Sequence, residues 1–147
     1  MSTLIQTTVR DVLMATNLFT TSPEPGAWAG VQVDLFTNLI TPNKGSVVGD
    51  FVTPVYSGYA AVTPTWGTPA RDPDGQVHVH SSLIIFQQLS TITPCTCYGC
   101  FVSLSGVLVA ACLFDTPMDL VDALSIIQFV VDYQLGQNGQ GGVDIVP

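Results

Sequence analysis

Tyr98 to Phe114 reads YGCFVSLSGVLVAACLF, seventeen residues without a charge, and the fold turns on whether they form a helix or strands. As a helix the stretch lies at the lower length limit for a membrane span. Against that reading, Ser103, Ser105 and Gly106 interrupt it, and it is rich in Val, whose branched Cβ suits a pleated surface better than a helix. No Lys or Arg follows Arg71 to supply the basic flank that orients a span. Ser105-Gly106 instead has the composition of a two-residue hairpin turn, so the stretch divides into strands at Tyr98–Leu104 and Val107–Phe114. That pairing sets Leu104 opposite Val107, Cys100 opposite Ala111 and Cys112 opposite Gly99. The second strand is apolar on both faces. It must be central in a sheet, covered on both sides, or packed against another subunit, and Val107, Val109, Ala111 and Leu113 are its candidate interface residues.

Outward from this hairpin the pattern remains that of strands. Val31, Val33 and Leu35 alternate with Gln32 and Asp34, the period of a half-buried strand. Val55–Val62 is a β-type run bounded by Pro54 and Pro64. From Val77 onward, Val79, Leu83 and Ile85 are expected on one face with Val77, and His78, His80 and Ser82 on the other. Between Leu124 and Leu135, Ile127, Phe129, Val131 and Tyr133 alternate with Gln128, Asp132 and Gln134. The spacers Thr41-Pro42-Asn43-Lys44-Gly45 and Asp72-Pro73-Asp74-Gly75 are turns. Helix is confined to Leu4–Met14 and to a turn or two within 44–52. Short strands with turn signals and no alternating helices give an all-β class: an antiparallel β-sandwich, jelly-roll-like, with about six main strands. Residues 1–30 are expected to form an extended N-terminal arm, 31–135 the sandwich, and 136–147 a Gly-rich flexible tail.

A chain of 147 residues is one domain that can bury a core without disulfides or metal. Its charge is unusual: 10% of residues are charged, against about 25% in ordinary soluble domains. Arg10, Lys44 and Arg71 stand against eleven acidic residues, a net charge of −8. Phosphate contacts come mainly from Lys and Arg, so direct nucleic-acid binding is not expected, nor is attraction to an anionic membrane. The N-terminus lacks the basic and apolar regions of a secretory signal.

Few residues offer chemistry. Cys95, Cys97 and Cys100 form C-x-C-x-x-C with Cys112 beyond, a count that suggests zinc but lacks the paired C-x₂-C knuckles of structural sites. Buried thiols acting as small hydrophobes are the favoured reading, ahead of a disulfide and of metal. His78 and His80 share a strand face at a spacing that can ligate one metal ion, and a solvent-facing strand accounts for them more simply. Asp72-Pro73-Asp74-Gly75 lacks the later acidic ligand of a calcium loop. No nucleophile elbow, phosphate loop or zinc-protease helix occurs, and the acidic residues are scattered. The expectation is a non-enzyme with no cofactor.

One further pattern emerges. Leu35-Phe36-Thr37-Asn38, then Thr41-Pro42, Gly49-Asp50-Phe51, Tyr56-Ser57-Gly58-Tyr59, Trp66 and Tyr98-Gly99 resemble small structural proteins of tailed bacteriophages. The resemblance spans Val31 to Leu120 and rests on aromatic and turn residues. The N-terminal extension and the cysteine cluster depart from it. It implies a virion component, a capsid decoration or cement protein or a tail-associated one, with no catalytic or ligand residues to carry over. The expected partners are further copies of the chain, a trimer being one arrangement, and the major capsid protein or other virion proteins. A tail or baseplate component is the alternative within this class. From another class, a glycan-binding module would stack sugars on Trp28, Trp66 or Tyr59.

Overall fold

A computed structural model describes residues 5–6, 30–43, 45–68, 70–71, 73, 77–87, 93–135 and 141–146. Nine strands are assigned among them, with no α-helix: β1 (Ile5–Gln6), β2 (Val31–Phe36), β3 (Ala70–Arg71), β4 (Val77–His80), β5 (Ile84–Gln87), β6 (Cys95–Leu104), β7 (Val107–Leu120), β8 (Ile126–Leu135) and β9 (Gly141–Val146). They form two antiparallel sheets, so the chain is an all-β sandwich. The first sheet runs β1-β7-β6-β2, and the second contains β3, β4, β5, β8 and β9 around β8.

The hairpin forms where its sequence places it. Ser105 and Gly106 both adopt positive φ, 51° and 78°, as a type I′ turn requires. Leu104 pairs with Val107 and Ser103 with Leu108, but Val102 then pairs with Ala110, leaving Val109 as a bulge. The extra residue moves the pairing by one place. Cys112 therefore faces Cys100, not Gly99, and Ala111 faces Phe101. A wider irregularity follows, where Phe114 to Pro117 oppose Tyr98 alone.

Both faces of β7 are covered by the chain itself. On the inner face Ala110, Cys112 and Phe114 join Val31, Val33, Leu35, Cys100 and Val102 against Val79, Ile84, Phe86, Phe129 and Val131 of the second sheet. Phe114 meets Phe129 edge-on at 5.8 Å, fastening the layers. On the outer face Leu108 and Ala111 lie with Phe36, Phe51 and Phe101. The Phe51 ring, delivered by the segment after β2, stacks on Phe101 at 5.1 Å and tilts against Phe36 at 5.0 Å. Burial of each large apolar side chain contributes about 1.5–3 kcal/mol, which explains a second small core outside the sandwich.

The second sheet departs from the expected faces. His80 pairs with Asp132 and Ile84 with Phe129, so three residues, 81 to 83, oppose two, 130 and 131. β4 and β5 are thus one strand crossed by a bulge. Ser81 stabilises it: its N–H donates to Val131 O, and its Oγ accepts the Val131 N–H at 2.9 Å and donates to Ser82 O at 2.8 Å. One added residue inverts the phase beyond it. Val79 points inward as expected, but past the bulge Ile84 and Phe86 are buried while Leu83 and Ile85 face out. β8 keeps its phase, with Ile127, Phe129, Val131 and Tyr133 all buried.

Two other expectations change, at Val55–Val62 and at the C-terminal tail, and the one for 44–52 holds. Val55–Val62 is not a strand: Gly58 turns at φ 85°, Tyr59 N–H donates to Tyr56 O, and only Val62 pairs, with Val33. The segment 44–52 holds one short 3₁₀ turn at Val48–Asp50. Residues 141–146, expected as a flexible tail, form β9 on the free edge of β8, with Val130 opposite Val146 and Leu135 opposite Gly141. Of the expected arm, Ile5 and Gln6 pair with Ala111 and Ala110 of β7. Lys44 and the rest of residues 1–29, including all but two residues of the possible helix Leu4–Met14, lie outside the described residues.

Candidate functional site

Of the aromatic and turn residues between Leu35 and Tyr59, several converge on the edge of β2. Thr37 N–H donates to Val52 O, and the Asn38 side chain mimics a backbone link, donating to Asp50 O and accepting the Val52 N–H, both at 2.8 Å. Asp50 accepts the Val47 N–H, which closes the 3₁₀ turn and presents Phe51 to Phe36 and Phe101. Farther along the same edge Tyr59 Oη accepts the Leu35 N–H at 2.9 Å and donates to Asp34 at 3.0 Å. Val62 exchanges both backbone bonds with Val33. A strand edge left open is a template for unwanted pairing, and here Val52, Tyr59 and Val62 occupy it in turn. Burial holds the Tyr59 phenol and the Asp34 carboxyl above their ordinary pKa values.

The aromatic candidates for sugar stacking are committed elsewhere. Tyr59 stacks on Phe86 at 5.8 Å and meets Tyr56 edge-on at 5.2 Å. Trp66 packs, half-buried, against the main core, and its backbone bridges Ser81. Trp28 lies outside the described residues.

His78 and His80 stand on the outer face of the second sheet with rings stacked at 6.3 Å. Between them lies the nearly buried Asp132, 3.4 Å from Nδ1 of each. This is a carboxylate shared by two imidazoles. Among the described residues no group of three or more His, Cys, Asp or Glu is placed to hold a metal ion. The cysteines separate into two pairs. Cys95 and Cys97 are neighbours along β6, and Cys100 faces Cys112 across β6 and β7. Burial pushes the Cys97 thiol up to about 12 and raises Cys95 as well. Such thiols are protonated at neutral pH and are poor nucleophiles.

The four interface candidates do not share a face, because the Val109 bulge divides them. Val107 is 43% exposed beside the hairpin turn, Val109 is buried in the main core, and Ala111 and Leu113 pack into the outer cluster with Phe36 and Phe51. A partner meeting this chain touches neither Val109 nor Ala111. Exposed apolar side chains lie in the segment after β2, at Leu39, Val47, Val52 and Val55, and, side by side in strands, on the outer face of the second sheet. Leu83 is 53% exposed and Ile85 49%, and Ile126 stands diagonally across from Ile85 at 49%. Gln87 and Gln128 share this face, and exposed Val121 and Leu124 lie at its end on the turn before β8. No charged residue lies among Leu83, Ile85, Gln87, Ile126 and Gln128. The signal in the sequence was Ser81-Ser82 interrupting an alternating run, where a bulge can invert the phase of the residues beyond it.

No family model, curated protein or solved structure matches the chain. Among the described residues no helix is long and apolar enough to cross a membrane.

Proposed function

We propose that this protein is a non-enzymatic structural subunit of a tailed-phage virion, a decoration or cement protein that works by docking on the capsid lattice. The observation that carries the reading is the uncharged apolar face of Leu83, Ile85 and Ile126. Leaving such side chains in water forfeits burial energy, and interface cores are depleted of charge in this way. The phage-like pattern supports the same reading, because its Asn38, Asp50, Phe51 and Tyr59 clasp the β2 edge and close one side of the sandwich to strand addition. That leaves the opposite sheet for assembly. The net charge of −8 suits a shell exterior that makes no DNA contact.

In this mechanism the face of the second sheet covers, and is covered by, the major capsid protein or another copy of this chain, and holds adjacent capsomers together against the pressure of packaged DNA. The protein is thereby located in the virion, assembled in the host cytoplasm. Particles made without it are expected to expand or to release DNA on heating or at low salt. Ile85→Glu should abolish particle binding yet change stability by no more than about 0.5 kcal/mol, since the side chain is a surface one. Equal heat resistance of particles with and without the protein would refute the cement role. A few copies per particle in place of hundreds would indicate the tail or baseplate alternative.

A further inference from the structure

Cys100 and Cys112 face each other only because the Val109 bulge moves Cys112 one place along β6. Both side chains lie in the core between the sheets, and Cys112 Sγ donates to Leu113 O at 3.4 Å. Directly opposed residues of an antiparallel pair have Cα atoms about 4.5 or 5.5 Å apart, depending on their place in the ladder. A disulfide spans Cα separations of about 4.4 to 6.8 Å, so either spacing accommodates one without moving a strand. Cys95 and Cys97, two residues apart on one extended strand, are about 6.6 Å apart at best and lie at the limit of that window. Of four thiols, the sheet therefore singles out one pair.

We propose that Cys100 and Cys112 are an oxidation site, at which a small-molecule disulfide converts the two thiols into a cross-strand disulfide that ties β6 to β7. In the first exchange one cysteine thiolate attacks a sulfur of the reagent, forming a mixed disulfide and expelling one small thiolate. In the second the other cysteine thiolate attacks the protein sulfur of that mixed disulfide and expels the second small thiolate. Both cysteine protons end on the released thiols, and two electrons pass from the protein to the reagent. The closed loop, Cys100 to Cys112, contains the whole hairpin turn.

Access determines when this happens. Both cysteines are buried, and the facing Cys112 thiol, followed by burial, keeps the Cys100 thiol protonated. In the folded chain exchange is therefore slow. It proceeds while the hairpin is assembling or when β6 and β7 open, and once made, the bond is shielded from reductant in the same core.

The test is refolding of the full chain from denaturant with excess oxidised glutathione, followed by alkylation of remaining thiols and peptide mapping. The expected product carries alkyl groups on Cys95 and Cys97 only, is lighter by two hydrogen atoms before alkylation, and joins the peptides of Cys100 and Cys112. Its melting temperature should rise by about 6 to 12 °C over the reduced chain, because the cross-link restricts the unfolded state. The double variant Cys95→Ser with Cys97→Ser should form the same link, and Cys112→Ala should not. Four alkylated thiols, glutathione retained on Cys100 or Cys112, or a link through Cys95 or Cys97 would each overturn the proposal.

Discussion

Ser81→Ala tests the bulge that turns Leu83 and Ile85 outward. Ser81 is 7% exposed, and its Oγ is the acceptor for the N–H of Val131, a residue with no exposed surface. Alanine removes that oxygen and leaves little space behind, so the loss is one of hydrogen bonding and not of packing. A buried donor left without its acceptor costs about 1–3 kcal/mol. Each kcal/mol lowers the melting temperature of a chain this size by about 3 °C, so the expected loss is about 3 to 9 °C. Ser82→Ala is the matched control. Ser82 Oγ accepts the Thr65 N–H at 3.1 Å on the exposed side, where water can replace it, and the expected change is within about 0.5 kcal/mol. Denaturant melts of both variants, with hydrogen exchange at the Val131 amide, give the comparison. Equal losses in the two variants, or a Ser81→Ala loss below about 0.5 kcal/mol, would refute the assignment of the bulge to the Ser81 hydroxyl.

Two other substitutions probe the first sheet. Gly99→Ala would place a Cβ against the Cys112 carbonyl and within 2.5 to 2.7 Å of the Phe36 ring, so β6 and β7 must separate. The expected cost is about 3 kcal/mol or more, read from denaturant unfolding, and a neutral result would contradict the strand spacing described. Asp34→Asn tests the sign of a pKa shift. Burial raises the Asp34 carboxyl, outweighing the hydrogen bond from Tyr59, which lowers it. A raised carboxyl contributes most to stability below its unfolded value of about 3.8, and that contribution is lost as pH rises through the folded value. Asparagine keeps an oxygen for Tyr59 and never ionises. It should stabilise the protein at pH 7 by less than about 1 kcal/mol, given partial solvent screening, and lose that advantage in melts below about pH 3.8.

The strands that read correctly are those whose pattern is local. Val31, Val33 and Leu35 alternate and are buried, as are Ile127, Phe129, Val131 and Tyr133, because the pleat sends successive side chains to opposite faces whatever the neighbouring strand does. Ser105-Gly106 reads correctly for a local reason too, since Gly106 takes positive φ without steric cost and a two-residue turn between strands draws Ser105 into the same region. Val55–Val62 misleads because its apolar and aromatic residues serve a wrap over the β2 edge, where Tyr59 is valued for its hydroxyl and its ring and not for β-propensity. Interface candidates on β7 mislead because two-sided apolarity does not say whether the cover comes from the same chain or another. Here Phe51, well over forty residues earlier in the sequence, supplies it.

The sequence by itself determined the all-β class, the antiparallel hairpin, the inward faces of β2 and β8, and the scarcity of charge. Tertiary structure decided the register. At Val109 and at Ser81 one extra residue enters a strand, and whether a strand takes up a bulge depends on the partner it must match and on a hydroxyl or core position ready to receive it. Those two residues carry the consequences: one brings Cys100 to face Cys112, and the other turns Leu83 and Ile85 out to the surface.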